Sequence, residues 1–170
     1  MAQVTLKGNA VNLSGEPLKA GDAAPSVTLP KTDLSNVTVG GSNNKVQLLV
    51  VVPSLDTAVC ATETRNFNAK AADLDGVETC VISMDLPFAS GRFCSTEGIE
   101  NLSVLSDFRA KEFGEKYNVL LKDGPLAGVL ARAIFVVGKD GKVAYSQLVP
   151  EITAEPNYDE ALEAAKAAAH

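Results

Sequence analysis

The feature that most constrains the fold is an uninterrupted apolar run at residues 48–52, which leads directly into Pro53. Consecutive leucines and valines are typical of a strand that is buried on both of its faces. Pro53 ends this strand, because proline has no N–H to donate to the neighbouring strands of a sheet. A short turn follows, and the composition of residues 57–74 favours a helix. The sequence therefore predicts a buried strand, a turn and a helix in immediate succession.

Cys60 lies at or near the first turn of this predicted helix. The unpaired N–H groups and the positive dipole end of a helix N-terminus favour an anion, so a thiol there ionises more easily. Thr57 lies three residues earlier, where its hydroxyl can share a face with the sulfur, and Arg65 adds positive potential nearby. The segment thus has the features of a nucleophilic thiolate. Two plainer interpretations stay open here: Cys60 as a core-packing residue and Thr57 as a helix cap.

The composition is that of an acidic globular protein. The 170 residues suit a single domain spanning residues 1–170, with 46% apolar and 21% charged side chains. A net charge of −6 argues against nucleic acid or an anionic membrane surface as a partner. No apolar stretch reaches the roughly 18 residues that a membrane span needs, and no signal-peptide pattern is visible. We therefore expect a cytoplasmic protein.

The three cysteines favour redox chemistry over a structural role. Disulfide staples are uncommon in a reducing cytoplasm, and an odd number of cysteines cannot all pair within one chain. The only histidine is the terminal His170 and there is no Cys-x-x-Cys pair, so we expect no metal site. The glycine pair at residues 40–41 lacks the spacing of a dinucleotide-binding fingerprint, and no cofactor is expected.

The remaining elements follow from hydrophobic periodicity and turn residues. A hairpin is predicted at residues 4–13, and residues 86–94 could form a short helix or remain a loop. Further strands are predicted at residues 26–30, 36–40, 77–84, 101–105, 131–137 and 142–149, and helices at residues 108–117 and 158–169. Cys80 falls inside a predicted buried strand and is interpreted as core packing. This order predicts an α/β fold in which helices flank a mixed sheet.

The string Pro-Ser-x-Asp-Thr-x-Val-Cys at residues 53–60, followed by Thr-x-x-Arg at residues 62–65, resembles the active-site motif of the peroxiredoxins. Within that family the chain is most similar to the bacterial thiol peroxidases, the atypical two-cysteine branch. The resemblance covers nearly the whole chain, including residues 86–94, 125–132 and 148–152. It implies a thioredoxin-like fold with an added N-terminal hairpin.

The resemblance also implies a role for each of five residues. Cys60 would be the peroxidatic thiol, which reduces hydrogen peroxide and alkyl hydroperoxides and becomes a sulfenic acid. Cys94 would be the resolving thiol that closes an intramolecular disulfide with Cys60. Thr57 and Arg132 would stabilise the developing negative charge, and Pro53 would shield the thiolate from water. Thioredoxin as the reductant and a homodimer are implied in the same way.

Arg132 also stands out from the residues alone. It is the only charged residue in the apolar run at residues 129–137, where a charge without a partner is unfavourable. It can pair with a carboxylate in the core, or it can serve the thiol. Arg65 has a plainer interpretation as a solvent-exposed partner of Glu63 or Asp75, and such pairs contribute little.

Other functions are compatible with the same fold. A thioredoxin-like disulfide oxidoreductase would carry Cys-x-x-Cys at the helix start, but position 63 is glutamate. A redox-inert binding or chaperone module would depend on neither Cys60 nor Cys94, and Cys94 would then be an ordinary packed or half-exposed cysteine. Such a module has no reason to combine Pro53, Thr57, Cys60 and Arg132. If alkyl hydroperoxides are preferred, candidate residues for an apolar pocket are Leu55, Phe88, Phe93, Leu126 and Leu130.

Overall fold

The structure is a computed structural model, and it describes residues 2–170. Its strands are β1 (Gln3–Leu6), β2 (Asn9–Asn12), β3 (Val27–Pro30), β4 (Asn36–Val39), β5 (Val46–Val51), β6 (Val77–Ser83), β7 (Ser103–Ser106), β8 (Ala133–Val137) and β9 (Val143–Leu148). Its helices are α1 (Ala58–Ala71), α2 (Pro87–Glu97), α3 (Glu112–Lys116) and α4 (Tyr158–Ala169). The predicted α/β architecture is confirmed.

The central sheet has five strands in the order β7-β6-β5-β8-β9, with β5 in the middle. β5 pairs in parallel with β6 and antiparallel with β8, so the sheet is mixed as predicted. Every residue of β5 is buried. Its side chains alternate between the two faces of the sheet, with Leu49 and Val51 in one core and Leu48 and Val50 in the other. The turn that leads to Cys60 therefore begins directly after a strand that is buried on both faces.

The two faces of this sheet carry two different cores. The hairpin-side core contains Val4 and Val11 of the N-terminal hairpin together with apolar residues of β3 and β4. The helix-side core contains Cys60 and Phe67 of α1 together with Ala161 of α4. Cys60 therefore lies inside the layer where the helices pack on the sheet.

The predicted N-terminal hairpin is formed by β1 and β2, which pair antiparallel. Its turn consists of Lys7 and Gly8, which both have positive φ, at 50° and 85°. Two consecutive positive φ values match the twist of a two-residue hairpin, and glycine adopts them without strain. The hairpin docks on a segment near the C-terminus, because Thr5 N–H donates to the carbonyl of Pro150 at 2.7 Å.

Three of the four helices agree closely with the prediction at their starts. α1 begins after the cap residue Thr57 but ends at Ala71 rather than near residue 74. Residues 86–94, for which a helix and a loop were both open, fall in the helix α2. This helix ends at Glu97 and is capped by Gly98 in the left-handed conformation. α4 has the predicted bounds. Within residues 2–170, no helix is both long enough and apolar enough to cross a membrane.

The helix predicted at residues 108–117 is wrong in its first half, because α3 begins only at Glu112. Lys111 directly before it has a φ of 54°, which a right-handed helix does not allow. The carboxylate of Asp107 accepts hydrogen bonds from the N–H groups of Phe113 and Gly114, at 3.0 and 2.8 Å. Asp107 thus caps a helix that starts further along the chain than a local Ser-Asp cap suggested.

Two predicted strands also shift: β7 covers Ser103–Ser106, and β8 begins after Arg132 rather than including it.

Replacing Asp107 with alanine should destabilise the fold by about 2–4 kcal/mol, because two N–H groups in a buried region lose their acceptor. The free energy of unfolding, measured by urea denaturation, checks this. Asp73→Ala is the matched control, since Asp73 is exposed. Equal urea midpoints for the two variants would show that the Asp107 cap contributes nothing.

Candidate active site

Cys60 is the third residue of α1, as the sequence predicted, and its side chain is fully buried. The N-terminal cap is Thr57, whose Oγ1 accepts a hydrogen bond from the Cys60 N–H at 3.4 Å. The same hydroxyl donates to the carbonyl of Ser54 at 3.0 Å. The capping interpretation of Thr57 therefore holds, and the cap also fixes the backbone on which the thiol sits.

Arg132 brings its guanidinium directly to this thiol. Its Nη1 lies 3.2 Å from Cys60 Sγ and 2.7 Å from Oε2 of Glu63. Its Nε and Nη2 both donate to the carbonyl of Ile152, at 3.0 and 2.7 Å. The side chain is 2% exposed. Both interpretations of Arg132 thus apply together, because it pairs with a buried carboxylate and contacts the thiol.

Glu63 is the member of this group that the sequence analysis missed. It was considered as a surface partner of Arg65, but its side chain is 0% exposed and pairs with Arg132. The usable signal was its position three residues after Cys60, which puts both side chains on one face of the helix. Arg65 instead forms an exposed ion pair with Glu97 of α2, at 3.4 Å.

Burial and the neighbouring charges shift the pKa values of Glu63 and Arg132. Burial raises the pKa of Glu63 to about 7, against the attraction of the Arg132 guanidinium. Burial alone would lower the pKa of Arg132, but the charges of Cys60 and Glu63 outweigh it and hold that pKa above its ordinary value. Oε1 of Glu63 is buried without a hydrogen-bond partner among residues 2–170. The site is therefore a desolvated cation held between the carboxyl group of Glu63 and the sulfur of Cys60.

The turn before Cys60 is anchored by Asp85, a second residue that the sequence analysis missed. Pro53 is buried at the start of this turn. Oδ1 of Asp85 accepts from the Ser54 hydroxyl at 2.7 Å, and Oδ2 accepts from the Leu55 N–H at 2.7 Å. Oδ2 also accepts from the hydroxyl of Ser83 at the end of β6, at 2.8 Å. Asp85 thus joins the Cys60 turn to the end of the neighbouring strand.

Cys94 lies on α2, a separate element from Cys60, and both cysteines are free thiols. Its side chain is half-buried against the helix-side core, and burial raises its pKa. Cys80 is buried within β6, where burial raises its pKa to about 12. Cys80 is therefore a packing residue, as predicted.

Within the described chain, no cluster of three or more His, Cys, Asp or Glu side chains is arranged to hold a metal ion.

A cavity of about 580 Å³ opens between the turn at residues 54–56 and α2. It is lined by both apolar and charged residues: Ser54, Leu55, Asp56, Asp85, Ala89, Arg92, Phe93, Thr96 and Glu97. Leu55 and Phe93 are thus the two suggested pocket residues that border this space. Leu126 and Leu130 belong to the hairpin-side core, and Phe88 is 70% exposed. Leu126 and Leu130 do not border this cavity because the sheet separates the two cores, and Phe88 is not among the lining residues.

Residues 19–162 match the Redoxin family, and the chain therefore belongs to that family. The thiol peroxidase of Campylobacter jejuni is 59% identical over 157 residues, which are 92% of this chain and 89% of that protein. The crystal structure of a peroxiredoxin-like protein from Aquifex aeolicus has a TM-score of 0.95 at 53% identity, over 98% of this chain and 97% of that one.

A thiol peroxidase from Chromobacterium violaceum has a TM-score of 0.84 at 21% identity, over 93% of this chain and 91% of that one, and this likeness supports the fold alone. The predicted peroxiredoxin type of thioredoxin-like fold is confirmed. Together with the curated relatives, it identifies an enzyme of the thiol-dependent peroxidase class, as predicted.

The Glu63→Gln variant should change how stability depends on pH. Folded Glu63 keeps its proton up to about pH 7, whereas the unfolded group releases it near 4.5. The folded state therefore binds more protons in this window, and the contribution of Glu63 to stability is lost as the pH rises through it, by up to about 3 kcal/mol. Urea unfolding across the window should show a steeper fall for the unmodified protein than for Glu63→Gln.

Glu163→Gln provides the control, because Glu163 is exposed on α4. Its stability curve should run parallel to that of the unmodified protein. Parallel curves for Glu63→Gln as well would show that Glu63 has the same pKa folded and unfolded.

Proposed function

We propose that this thiol-dependent peroxidase reduces hydrogen peroxide and alkyl hydroperoxides through Cys60. The thiolate sulfur attacks the terminal peroxide oxygen, so that an S–O bond forms while the O–O bond breaks. Cys60 becomes a sulfenic acid, and the departing oxygen takes up a proton and leaves as water or an alcohol. The observation that carries this proposal is the 3.2 Å contact between Arg132 Nη1 and Cys60 Sγ in a buried site.

Three neighbours have roles in the proposed step. Arg132 stabilises the thiolate and the negative charge that develops on the departing oxygen. The exposed hydroxyl of Thr57 is close enough in the chain to polarise a peroxide at the helix N-terminus. Pro53, buried at the start of the turn, keeps bulk water from the sulfur. The Arg132 guanidinium is already held in place by the carbonyl of Ile152, whereas the Thr57 hydroxyl has to turn from the carbonyl of Ser54 to the peroxide.

The sulfenic acid is then resolved by Cys94. The Cys94 sulfur attacks the sulfur of Cys60, an S–S bond forms, and the hydroxyl of the sulfenic acid leaves as water. A disulfide requires the two Cα atoms to come within about 7 Å. Because Cys60 is buried on α1 and Cys94 lies on α2, the first turn of α1 and part of α2 rearrange before the bond closes.

A dithiol reductant of the thioredoxin type completes the cycle by reducing this disulfide. The protein would act in the cytoplasm as a single domain, and two copies would form a homodimer. The acidic net charge of −6 fits a small neutral substrate and a protein reductant rather than nucleic acid or a membrane.

Single serine substitutions separate the two cysteine roles. Cys60→Ser should abolish rapid consumption of hydrogen peroxide and cumene hydroperoxide in stopped-flow measurements on the pre-reduced protein. Intact mass of the unmodified protein should fall by two hydrogens after reaction. Cys94→Ser should still react once but accumulate a sulfenic or overoxidised product, because no second thiol closes the disulfide. Cys80→Ser, at a buried packing position, is the control and should keep the full cycle.

Turnover with reduced thioredoxin tests the last step. The unmodified protein should consume peroxide continuously, and Cys94→Ser should not. If Cys60→Ser consumed peroxide as fast as the unmodified protein, the enzymatic proposal would be wrong and a redox-inert binding module would take its place.

The role of the Thr57 hydroxyl can be tested with substitutions that remove the hydroxyl but keep the size of the side chain, or the reverse. Thr57→Val keeps the size but removes both hydrogen bonds, and it should slow peroxide consumption about 100-fold. Thr57→Ser keeps the hydroxyl and should retain most of the rate. Thr62→Val, one turn further along α1, is the control. Equal rates for Thr57→Val and Thr62→Val would remove Thr57 from the mechanism.

A further inference from the structure

Glu151, which lies outside the group of residues around Cys60, is half-buried, and its carboxylate accepts five hydrogen bonds. From the hairpin, it accepts from the Thr5 hydroxyl at 2.9 Å, the Lys7 N–H at 3.1 Å and the Gly8 N–H at 2.9 Å. From its own turn, it accepts from the N–H and the hydroxyl of Thr153, at 2.9 and 2.7 Å. One side chain therefore fastens the hairpin turn to the segment at residues 150–153.

Ile152 connects these contacts between the hairpin and residues 150–153 to the active site. Its N–H donates to the carbonyl of Thr5 in β1 at 2.8 Å. Its own carbonyl accepts two hydrogen bonds from Arg132, through Nε and Nη2. The side chain of Ile152 is 3% exposed and packs in the hairpin-side core. A displacement of the hairpin would therefore move the carbonyl on which the guanidinium rests.

The double contact with Ile152 sets the direction of the guanidinium. The group is planar and rigid, so two donors on one carbonyl fix where the remaining Nη1 points. That nitrogen faces Cys60 and Glu63. If the carbonyl of Ile152 moves, Arg132 keeps its charge but loses its alignment with the sulfur.

We propose that Glu151 is a positioning residue for the peroxidase reaction. It clamps the N-terminal hairpin onto residues 150–153, so that the carbonyl of Ile152 holds Arg132 against Cys60. This inference rests on the proposed function. The N–H and hydroxyl of Thr153, with the donors of the hairpin, hold the pKa of Glu151 well below its usual range. The carboxylate is therefore charged, and the clamp is in place, throughout the neutral pH range.

The decisive comparison is Glu151→Ala against Asp123→Ala. The Asp123 carboxylate docks the other end of the same hairpin by accepting from the N–H and the side-chain amide of Asn12, at 2.9 and 2.7 Å. Both substitutions remove a surface carboxylate that holds β1 and β2 in place, and both will lower stability. Of these two carboxylates, only Glu151 belongs to the segment whose next residue, Ile152, accepts the hydrogen bonds of Arg132.

Two measurements report how each substitution affects the reactivity and the ionisation of Cys60. The first is the stopped-flow rate constant for hydrogen peroxide as a function of pH. The second is the fraction of Cys60 present as thiolate, from ultraviolet absorbance with Cys60→Ser as the blank. Glu151→Ala should lower the rate constant about tenfold and shift the acid limb of both profiles to higher pH, because a misaligned guanidinium stabilises the thiolate less. Asp123→Ala should leave both profiles unchanged.

Two further variants keep the test independent of how well Glu151→Ala folds. Glu151→Gln retains one acceptor oxygen and should give an intermediate shift. Arg132→Lys keeps the positive charge but cannot make both bonds to Ile152. In the Arg132→Lys background, Glu151→Ala should therefore cause no further loss of rate, whereas independent effects would multiply.

The outcomes separate this inference from the function on which it rests. If Cys60→Ser consumes peroxide as fast as the unmodified protein, the proposed function is wrong. If consumption depends on Cys60 but Glu151→Ala gives the same profiles as Asp123→Ala, the positioning role alone is wrong. Multiplicative effects in the Arg132→Lys background would also overturn it. The absorbance measurement needs no peroxide turnover and supports or contradicts the alignment directly.

Discussion

The site depends on keeping one guanidinium charged inside the protein. Arg132 and Glu63 are 2% and 0% exposed, and burying an ion costs several kcal/mol unless partners replace its water. Arg132 meets this requirement with a carboxylate, a backbone carbonyl and the sulfur of Cys60. Two of these partners lie on α1, and the third follows β9. Arg132 therefore connects α1 to the segment that follows β9, and removing its carboxylate partner leaves a buried charge that costs about 3–5 kcal/mol.

The elements around this pair are held by interactions of very different strength. β5 and β8 are buried along their whole length and define where the Cys60 turn and Arg132 emerge from the sheet. The turn itself is held by hydrogen bonds to Asp85, and α2 is tied to α1 by the exposed pair of Arg65 and Glu97. Exposed pairs contribute little, and such regions open locally at low free-energy cost. The proposed disulfide requires movement of part of α2 and of the first turn of α1, which also carries the buried contact between Cys60 and Arg132.

The N-terminal hairpin extends this arrangement to the opposite face. Val4 and Val11 complete the hairpin-side core, and the backbone of Thr5 meets residues 150–152. The orientation of Arg132 is therefore shared between α1, which supplies the carboxylate, and the hairpin, which supports the carbonyl of Ile152. Charge compensation and alignment come from different parts of the chain, and so they can be perturbed separately.

The local sequence by itself determined the strand, turn and helix around Cys60, the N-terminal hairpin and the bounds of α4, because these follow from short-range periodicity, caps and turn residues. It also marked Arg132, since a lone charge in an apolar run needs a partner. Only the tertiary structure decided which partner that is. The spacing of Glu63 from Cys60 puts the two on one helix face, but the contacts of Glu63 and Ile152 with Arg132, and of Asp85 with Ser54, join segments far apart in the chain, for which a single sequence carries no periodic signal. The late start of α3 has a different cause: Asp107 caps the N–H groups of Phe113 and Gly114 across a turn, and this capping overrides local helix propensity.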